Sequence, residues 1–233
     1  MLLKGLQKTT LLDFPTKVAC TVFTGGCNFR CPFCHNASLV LGEDKTPDLP
    51  QEEFFRFLER RRGILDGVCV TGGEPLLQKD LIPFLQKIRD MGLAVKLDTN
   101  GSAPDRLAEI LRVVPPDYIA MDIKNSREKY AMTCGLPSFP EGVEQSIDRI
   151  MNSGIPYEFR TTVVRELHTV ADIKSIARRI AGARHYYLQG FIDSGDLIGE
   201  NYSACTPAEM KEMLAAALPY VPTAALRGVD TGD

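Results

Sequence analysis

Three cysteines, Cys27, Cys31 and Cys34, lie in the stretch Gly25-Gly26-Cys27-Asn28-Phe29-Arg30-Cys31-Pro32-Phe33-Cys34-His35-Asn36, spaced C-x3-C-x2-C. Thiolates this close can share one metal centre. A [4Fe–4S] cluster takes four cysteines, one per iron. Three leave one iron open, by the logic that gives a catalytic zinc site its open position. The loop therefore points to a cluster that does chemistry rather than one that only passes electrons. The competing reading is a non-catalytic zinc or iron–sulfur module. That reading needs a fourth ligand, for which His35 or Cys20 can be put forward. His35 directly follows Cys34, which strains joint ligation of one metal by both.

Composition narrows the setting. The chain has 233 residues, 44% of them hydrophobic and 24% charged, with a net charge of −3. That length allows one full core, near the upper size of a single domain. Without a basic excess there is no electrostatic ground for nucleic-acid binding. Arg60-Arg61-Arg62 reads as a solvated end of a helix, complementing its dipole. No apolar run reaches the roughly 20 residues of a membrane span, and Met1-Leu2-Leu3-Lys4-Gly5 lacks a signal-peptide core. A cytoplasmic location is expected. Seven cysteines, three of them clustered, suit a metal site better than disulfides in a reducing compartment. Cys20 and Cys69 read as core residues, and Cys134 and Cys205 as loop residues.

The elements that must position the loop follow from periodicity. Strands are expected at Val18–Phe23, Gly67–Thr71, Ala94–Asp98, Tyr118–Asp122, Tyr157–Val164 and His185–Gln189. Helices are expected at Gln51–Arg62, Lys79–Met91, Pro104–Val113, Gly142–Ser153, Val170–Ala181 and Pro207–Leu218. Leu81, Phe84, Leu85 and Ile88 show the helical spacing, and Thr206 caps a helix that Pro207 opens. Six β-then-α units imply an α/β fold with a parallel sheet and outer helices, either open and doubly wound or a full or partial barrel. In either case ligands gather at the carboxyl ends of the strands.

Those strand ends carry the remaining chemistry. The first strand leads into the cysteine loop and the second into Thr71-Gly72-Gly73-Glu74-Pro75. The third leads into Asp98-Thr99-Asn100-Gly101, and the fourth ends in Met121-Asp122-Ile123-Lys124. The fifth carries Arg160, Thr161 and Thr162, and the sixth ends in Gln189-Gly190-Phe191. Singly, each has a bland reading: a tight turn for Gly72-Gly73 or Asn100-Gly101, a solvated strand end for Asp98, a surface lysine for Lys124. Their succession is what argues for a site. His35 belongs with it by position, whereas His168 and His185 read as structural or surface residues.

Taken together, the cysteine loop and Thr71-Gly72-Gly73-Glu74-Pro75 strongly resemble the radical S-adenosylmethionine superfamily, over nearly the whole chain. The resemblance implies a partial (β/α)6 TIM-like barrel spanning residues 1–233 as one domain, with the cluster loop at 25–36. It implies that Cys27, Cys31 and Cys34 bind three irons of one [4Fe–4S] cluster and are the catalytic set. The fourth iron is then chelated by the methionine amino and carboxylate groups of S-adenosylmethionine. Gly72, Gly73 and Glu74 match the motif that receives the amino group, and Phe33 matches the aromatic position beside adenine. His35, Asp98, Lys124, Arg160 and Thr162 complete the expected cofactor contacts. Adjacent glycines let backbone approach a ligand. Lys124 can offer an ammonium to the ligand carboxylate, and Arg160 a two-pronged guanidinium.

A narrower likeness follows. Cys34-His35-Asn36, Leu97-Asp98-Thr99-Asn100-Gly101 and Asp122-Ile123-Lys124 look like the glycyl-radical-enzyme activating enzymes. The opening from Thr10-Leu11-Leu12-Asp13-Phe14-Pro15 through Cys27 resembles the activating proteins of anaerobic ribonucleoside-triphosphate reductase. That likeness implies a glycyl-radical partner and a flavodoxin or ferredoxin as reductant. Residues 35–70 hold one cysteine, Cys69, so the ferredoxin-like insert of larger activases is absent. Some activases place a monovalent cation near the cofactor carboxylate; here its ligands would be Asp98, Thr99, Asp122 and the carbonyl of Ala120. Two positions depart from the pattern: Thr16 stands where Gly is usual, and Gln189-Gly190-Phe191 where another activase has a His near adenine. A member of the superfamily acting on a small molecule, like 7-carboxy-7-deazaguanine synthase, or on a peptide is the alternative within enzymes. Arg227–Asp233 reads as a frayed tail or a partner contact.

Overall fold

The computed structural model describes residues 1–42 and 47–230. Its sheet has eight strands: β1 (Leu3–Thr10), β2 (Ala19–Thr24), β3 (Gly67–Gly72), β4 (Ala94–Thr99), β5 (Tyr118–Asp122), β6 (Tyr157–Val163), β7 (Tyr186–Gly190) and β8 (Ala225–Arg227). They lie in the order β1-β2-β3-β4-β5-β6-β7-β8. β1 is antiparallel to β2, and every later neighbour pair is parallel. β1 and β8 are the two edges, so the sheet curls into an open barrel with one unclosed side. The expected parallel core, β2 to β7, is present, with strand bounds within about two residues.

The helices are α1 (Ala37–Leu41), α2 (Gln51–Arg60), α3 (Leu81–Asp90), α4 (Pro104–Val113), α5 (Arg127–Cys134), α6 (Gly142–Met151), α7 (Val170–Arg179) and α8 (Pro207–Ala217). All six expected helices form. Each main helix turns an apolar stripe to the sheet, as α3 does with Leu81, Phe84, Leu85 and Ile88. Capping boxes start α7 (Thr169 and Asp172) and α8 (Thr206 and Glu209), each satisfying orphan N–H groups of the first turn. Among the described residues no helix is long and apolar enough to cross a membrane.

Strand alternation sorts the side chains into two environments. Cys20, Val22, Val68, Val70, Val95, Leu97, Ile119, Met121, Phe159 and Leu188 face outward into the core under the helices. The intervening residues face the lumen, and many are polar: Thr21, Cys69, Lys96, Asp98, Asp122, Glu158, Arg160 and Gln189. Lys96, Asp98 and Glu158 are buried there. This lumen is a ladder of paired charges, not the packed aliphatic interior of a complete barrel.

Some sequence expectations need correction. Cys134 is not in a loop; it is the last residue of α5, fully buried. Cys69 is buried as expected but faces the polar lumen, 3.7 Å from Asp98 Oδ1. The tail does not begin at Arg227, which closes β8, stacks on Tyr187 and pairs with Glu158 at 2.8 Å; residues 231–233 lie outside the described residues. Strands β1 and β8 and helices α1 and α5 were not anticipated. The Leu12-Asp13-Phe14-Pro15 segment sits at the amino-terminal end of the barrel: Phe14 is buried against Gly67, and Asp13 accepts a hydrogen bond from Thr21.

Candidate active site

The cysteine loop leaves β2 and is pinned at both ends. Gly26 N donates to Leu39 O at 2.9 Å, and Arg30 N donates to Cys134 O at 2.8 Å. Cys34 N donates to Cys31 O at 3.0 Å, closing a turn that brings the last two cysteines together. Helix α5 forms the far support. Its Tyr130 ring meets Phe29 edge-on at 6.4 Å, and it ends at Gly135, whose φ of +64° permits the left-handed stop. A cavity at the carboxyl end of the strands is lined by all three cysteines together with Phe33, His35, Gly72, Gly73, Glu74, Asp98, Thr99, Asp122, Lys124, Arg160 and Thr162. These residues, drawn from successive strand ends, share one cavity.

The glycine pair has a steric reason. A Cβ on Gly73 would stand 2.0 Å from Gly26 O, and Gly72 has φ of +117°. Gly73 N donates to Thr24 O and Glu74 N to Gly26 O, both at 2.9 Å. The motif is therefore welded to the base of the cysteine loop.

Glu74 is braced by its protein neighbours. It is fully buried, and its carboxylate already accepts from Thr99 Oγ1 at 2.7 Å, Asn100 N at 2.7 Å and Leu76 N at 3.0 Å. It braces the ends of β3 and β4 and lines the cavity. Burial pushes its carboxyl up to about 7, against those hydrogen bonds. Arg160 is held by two protein carboxylates. Its Nε donates to Asp122 Oδ1 at 2.8 Å and its Nη1 to Asp98 Oδ2 at 3.0 Å, so its fork is engaged by protein carboxylates. Lys124 lies 3.0 Å from Asp122 Oδ2 and still lines the cavity. Burial opposes its charge, but Asp122 outweighs that and keeps the ammonium protonated.

His35 stacks on Phe191 with centroids 5.6 Å apart, and burial lowers its pKa. The pair makes an aromatic flank at the mouth. His168 is structural, as expected: buried, with Nε2 donating to Lys124 O at 2.8 Å and Nδ1 accepting from Val164 N at 3.1 Å. It fixes the backbone that carries Lys124.

The thiols suit a cluster. Cys27 Sγ receives Phe29 N at 3.4 Å and Asn100 Nδ2 at 3.7 Å, the kind of donors that tune cluster sulfurs. A hydrogen bond from the Cys134 thiol holds the Cys31 thiol below its usual range. Burial pushes Cys27 up to about 11 and raises Cys34. Loading these cysteines must therefore release protons. Among the described residues no group of three or more His, Cys, Asp or Glu side chains is set to hold a single metal ion. A single zinc would need that convergence, whereas in a four-iron cluster each cysteine meets its own iron.

An open α/β barrel with this cysteine loop defines a radical-type cofactor enzyme, and sequence comparison agrees. Residues 21–180 match the Radical SAM superfamily; the chain belongs to it. A protein of Methanocaldococcus jannaschii, named provisionally as a glycyl-radical enzyme activating enzyme, is 28% identical over 98% of this chain and 97% of its own length. The pyruvate formate-lyase-activating enzyme of Clostridium pasteurianum is 28% identical over 76% of this chain and 73% of its own. A shorter match, 29% identical over 62% of this chain and 47% of the relative, is to a GTP 3',8-cyclase of Pyrococcus abyssi. Among solved structures, a domain of the pyruvate-formate lyase-activating enzyme of Bacteroides vulgatus superposes with a TM-score of 0.58 at 20% identity, over 70% of this chain and 99% of that one. That likeness is one of fold.

Proposed function

We propose that the chain is an activase for a glycyl-radical enzyme. The observation that carries this reading is the match over 98% of this chain and 97% of the relative to a protein named provisionally as a glycyl-radical enzyme activating enzyme. A cluster on Cys27, Cys31 and Cys34 would supply one electron to split S-adenosylmethionine, giving methionine and a 5′-deoxyadenosyl radical that takes hydrogen from a glycine Cα of the partner.

The chain's own residues hold and orient. Lys124 places an ammonium at the carboxylate end of the cavity. The Gly72-Gly73 backbone lets the methionine end approach closely. Phe33, His35 and Phe191 give apolar surface for the adenosine end and keep water from the reacting carbon. Thr162, Asp98 and Arg160 form the wall between. The open side of the barrel admits a protein loop. We take anaerobic ribonucleoside-triphosphate reductase as the partner, on the strength of the Thr10–Cys27 opening. A flavodoxin or ferredoxin serves as reductant, and the cytoplasm is the compartment.

The test uses anaerobically reconstituted protein with dithionite and S-adenosylmethionine. Peptide-stimulated 5′-deoxyadenosine with a glycyl radical signal by EPR is expected for a peptide spanning a reductase-like glycine loop. Cleavage indifferent to any peptide would retain the superfamily and shift the substrate to a small molecule. Cys31→Ala should lose cluster-coupled cleavage entirely; cleavage retained by that variant would sink the assignment.

A further inference from the structure

Two carboxylates, Asp98 and Asp122, stand at the carboxyl end of the lumen where the family likeness implied a monovalent metal cation. Their four oxygens are all taken by side-chain cations. Asp98 Oδ1 contacts Lys96 Nζ, and Asp98 Oδ2 contacts Arg160 Nη1 at 3.0 Å. Asp122 Oδ1 contacts Arg160 Nε at 2.8 Å, and Asp122 Oδ2 contacts Lys124 Nζ at 3.0 Å. The other two implied ligands are also engaged. Thr99 Oγ1 donates to Glu74 and accepts from Gly101 N at 3.0 Å. Ala120 lies inside β5, paired with Asp98 on one side and Glu158 on the other.

Charge counting points the same way. Three cations, Lys96, Arg160 and Lys124, face two carboxylates, and the next carboxylate down the lumen, Glu158, is held by Arg227 at 2.8 and 3.0 Å. The cluster is already positive by about one charge. A metal cation would have to displace a guanidinium from between its two partners and enter a buried site of like sign, which low local polarity makes costly. A hard cation wants several free oxygens, and each carboxylate oxygen here already meets a side-chain cation.

We propose that the cofactor pocket of this chain works without a metal cation, because the Arg160 guanidinium, clamped between Asp98 and Asp122 and closed off by Lys96 and Lys124, occupies that place with protein-borne charge. The inference rests on reading the cavity as the S-adenosylmethionine pocket. Lys96 is then a positioning residue: buried two residues before Asp98 on the same face of β4, it neutralises Asp98 Oδ1 from deeper in the lumen. The surplus positive charge is left for the methionine carboxylate, with Lys124 nearest the cavity.

The experiment has two independent readouts. Thallium(I), a potassium surrogate, is titrated into the cluster-loaded protein and followed by thallium NMR, with and without S-adenosylmethionine. No saturable bound signal is expected; a saturable one overturns the proposal. In parallel, S-adenosylmethionine affinity is measured by calorimetry in potassium, sodium and tetramethylammonium chloride at equal ionic strength. Dissociation constants within about twofold are expected, and a tenfold weakening in tetramethylammonium, about 1.4 kcal/mol, overturns it. Absence of cofactor binding in every salt would defeat the pocket reading, while the thallium titration would still decide the cation question. Lys96→Met, close in shape, frees one oxygen of Asp98 and should make binding potassium-dependent by fivefold or more. A folded Lys96→Met protein that stays indifferent to cations overturns the part given to Lys96. If that variant does not fold, the wild-type readouts decide alone.

Discussion

Glu74 shows how far a motif residue can be read. Its place in Gly72-Gly73-Glu74 was legible, and it lines the cavity with the cysteines. Its committed carboxylate was not legible, because Thr99 and Asn100 meet it only once β3 and β4 pair. Its pKa has a measurable consequence. The folded chain keeps the Glu74 carboxyl protonated between its ordinary 4.5 and about 7, where the unfolded chain releases the proton. The unfolded state thus binds fewer protons, and stability falls as pH rises through that window, by about 3 kcal/mol in all. Denaturant unfolding of the cluster-free protein from pH 4.5 to 8 should show this slope, and Glu74→Gln should flatten it. An unchanged slope in the variant would place the titration elsewhere. Gly73→Ala tests the weld beneath the cysteine loop. With Gly26 O at 2.0 Å from the new Cβ, backbone must shift, and a loss of about 3 kcal/mol is expected from thermal or denaturant melts. Lys96 and Glu158 escaped notice for a plain reason. A charge inside a strand has no sequence signature that separates a lumen from a solvated edge.

At the level of elements, the six parallel strands and their helices were readable because β-branched runs and helical apolar spacing are strong there. Helix α5 was not. Arg127–Cys134 mixes charge and apolar residues without a stripe, since one face meets the cysteine loop and not the sheet. The bracketing Ser126 and Gly135 were the available signal. Strand β1 reads as polar because it is an antiparallel edge, and β8 has three residues, too few for any period. The hairpin region between β1 and β2 explains the Thr16 departure. Thr16 is exposed and has φ of +64°, a conformation that costs a β-branched residue about 1–2 kcal/mol and glycine almost nothing. Thr16→Gly should therefore stabilise the fold by about 1 kcal/mol in a melt, with cofactor cleavage unaltered. A destabilised variant would mean that the threonine hydroxyl or methyl makes an offsetting contact.

For the whole molecule, the cysteine loop is tied into the apolar core through Phe29, Cys31 and Phe33, and it is pinned by Leu39 and Cys134 backbone groups without help from metal. Removing iron with a chelator should leave far-UV circular dichroism and a cooperative melt essentially intact, while abolishing cofactor cleavage. Collapse of the spectrum on iron removal would show that the cluster holds the fold. The lumen has a different kind of robustness. Its charges interlock through shared partners, with Lys96 and Asp98 two residues apart on β4 and Glu158 and Arg160 two apart on β6. Deleting one member strands another in a dry interior, at about 3–5 kcal/mol. Drift of this sequence through single changes is thus closed along that column. A lineage could leave the present arrangement only by compensated double replacement, or by recruiting an outside ion at the moment a lysine is lost. The column acts as a historical lock: the same contacts that set the local field also limit which descendants of this chain can exist.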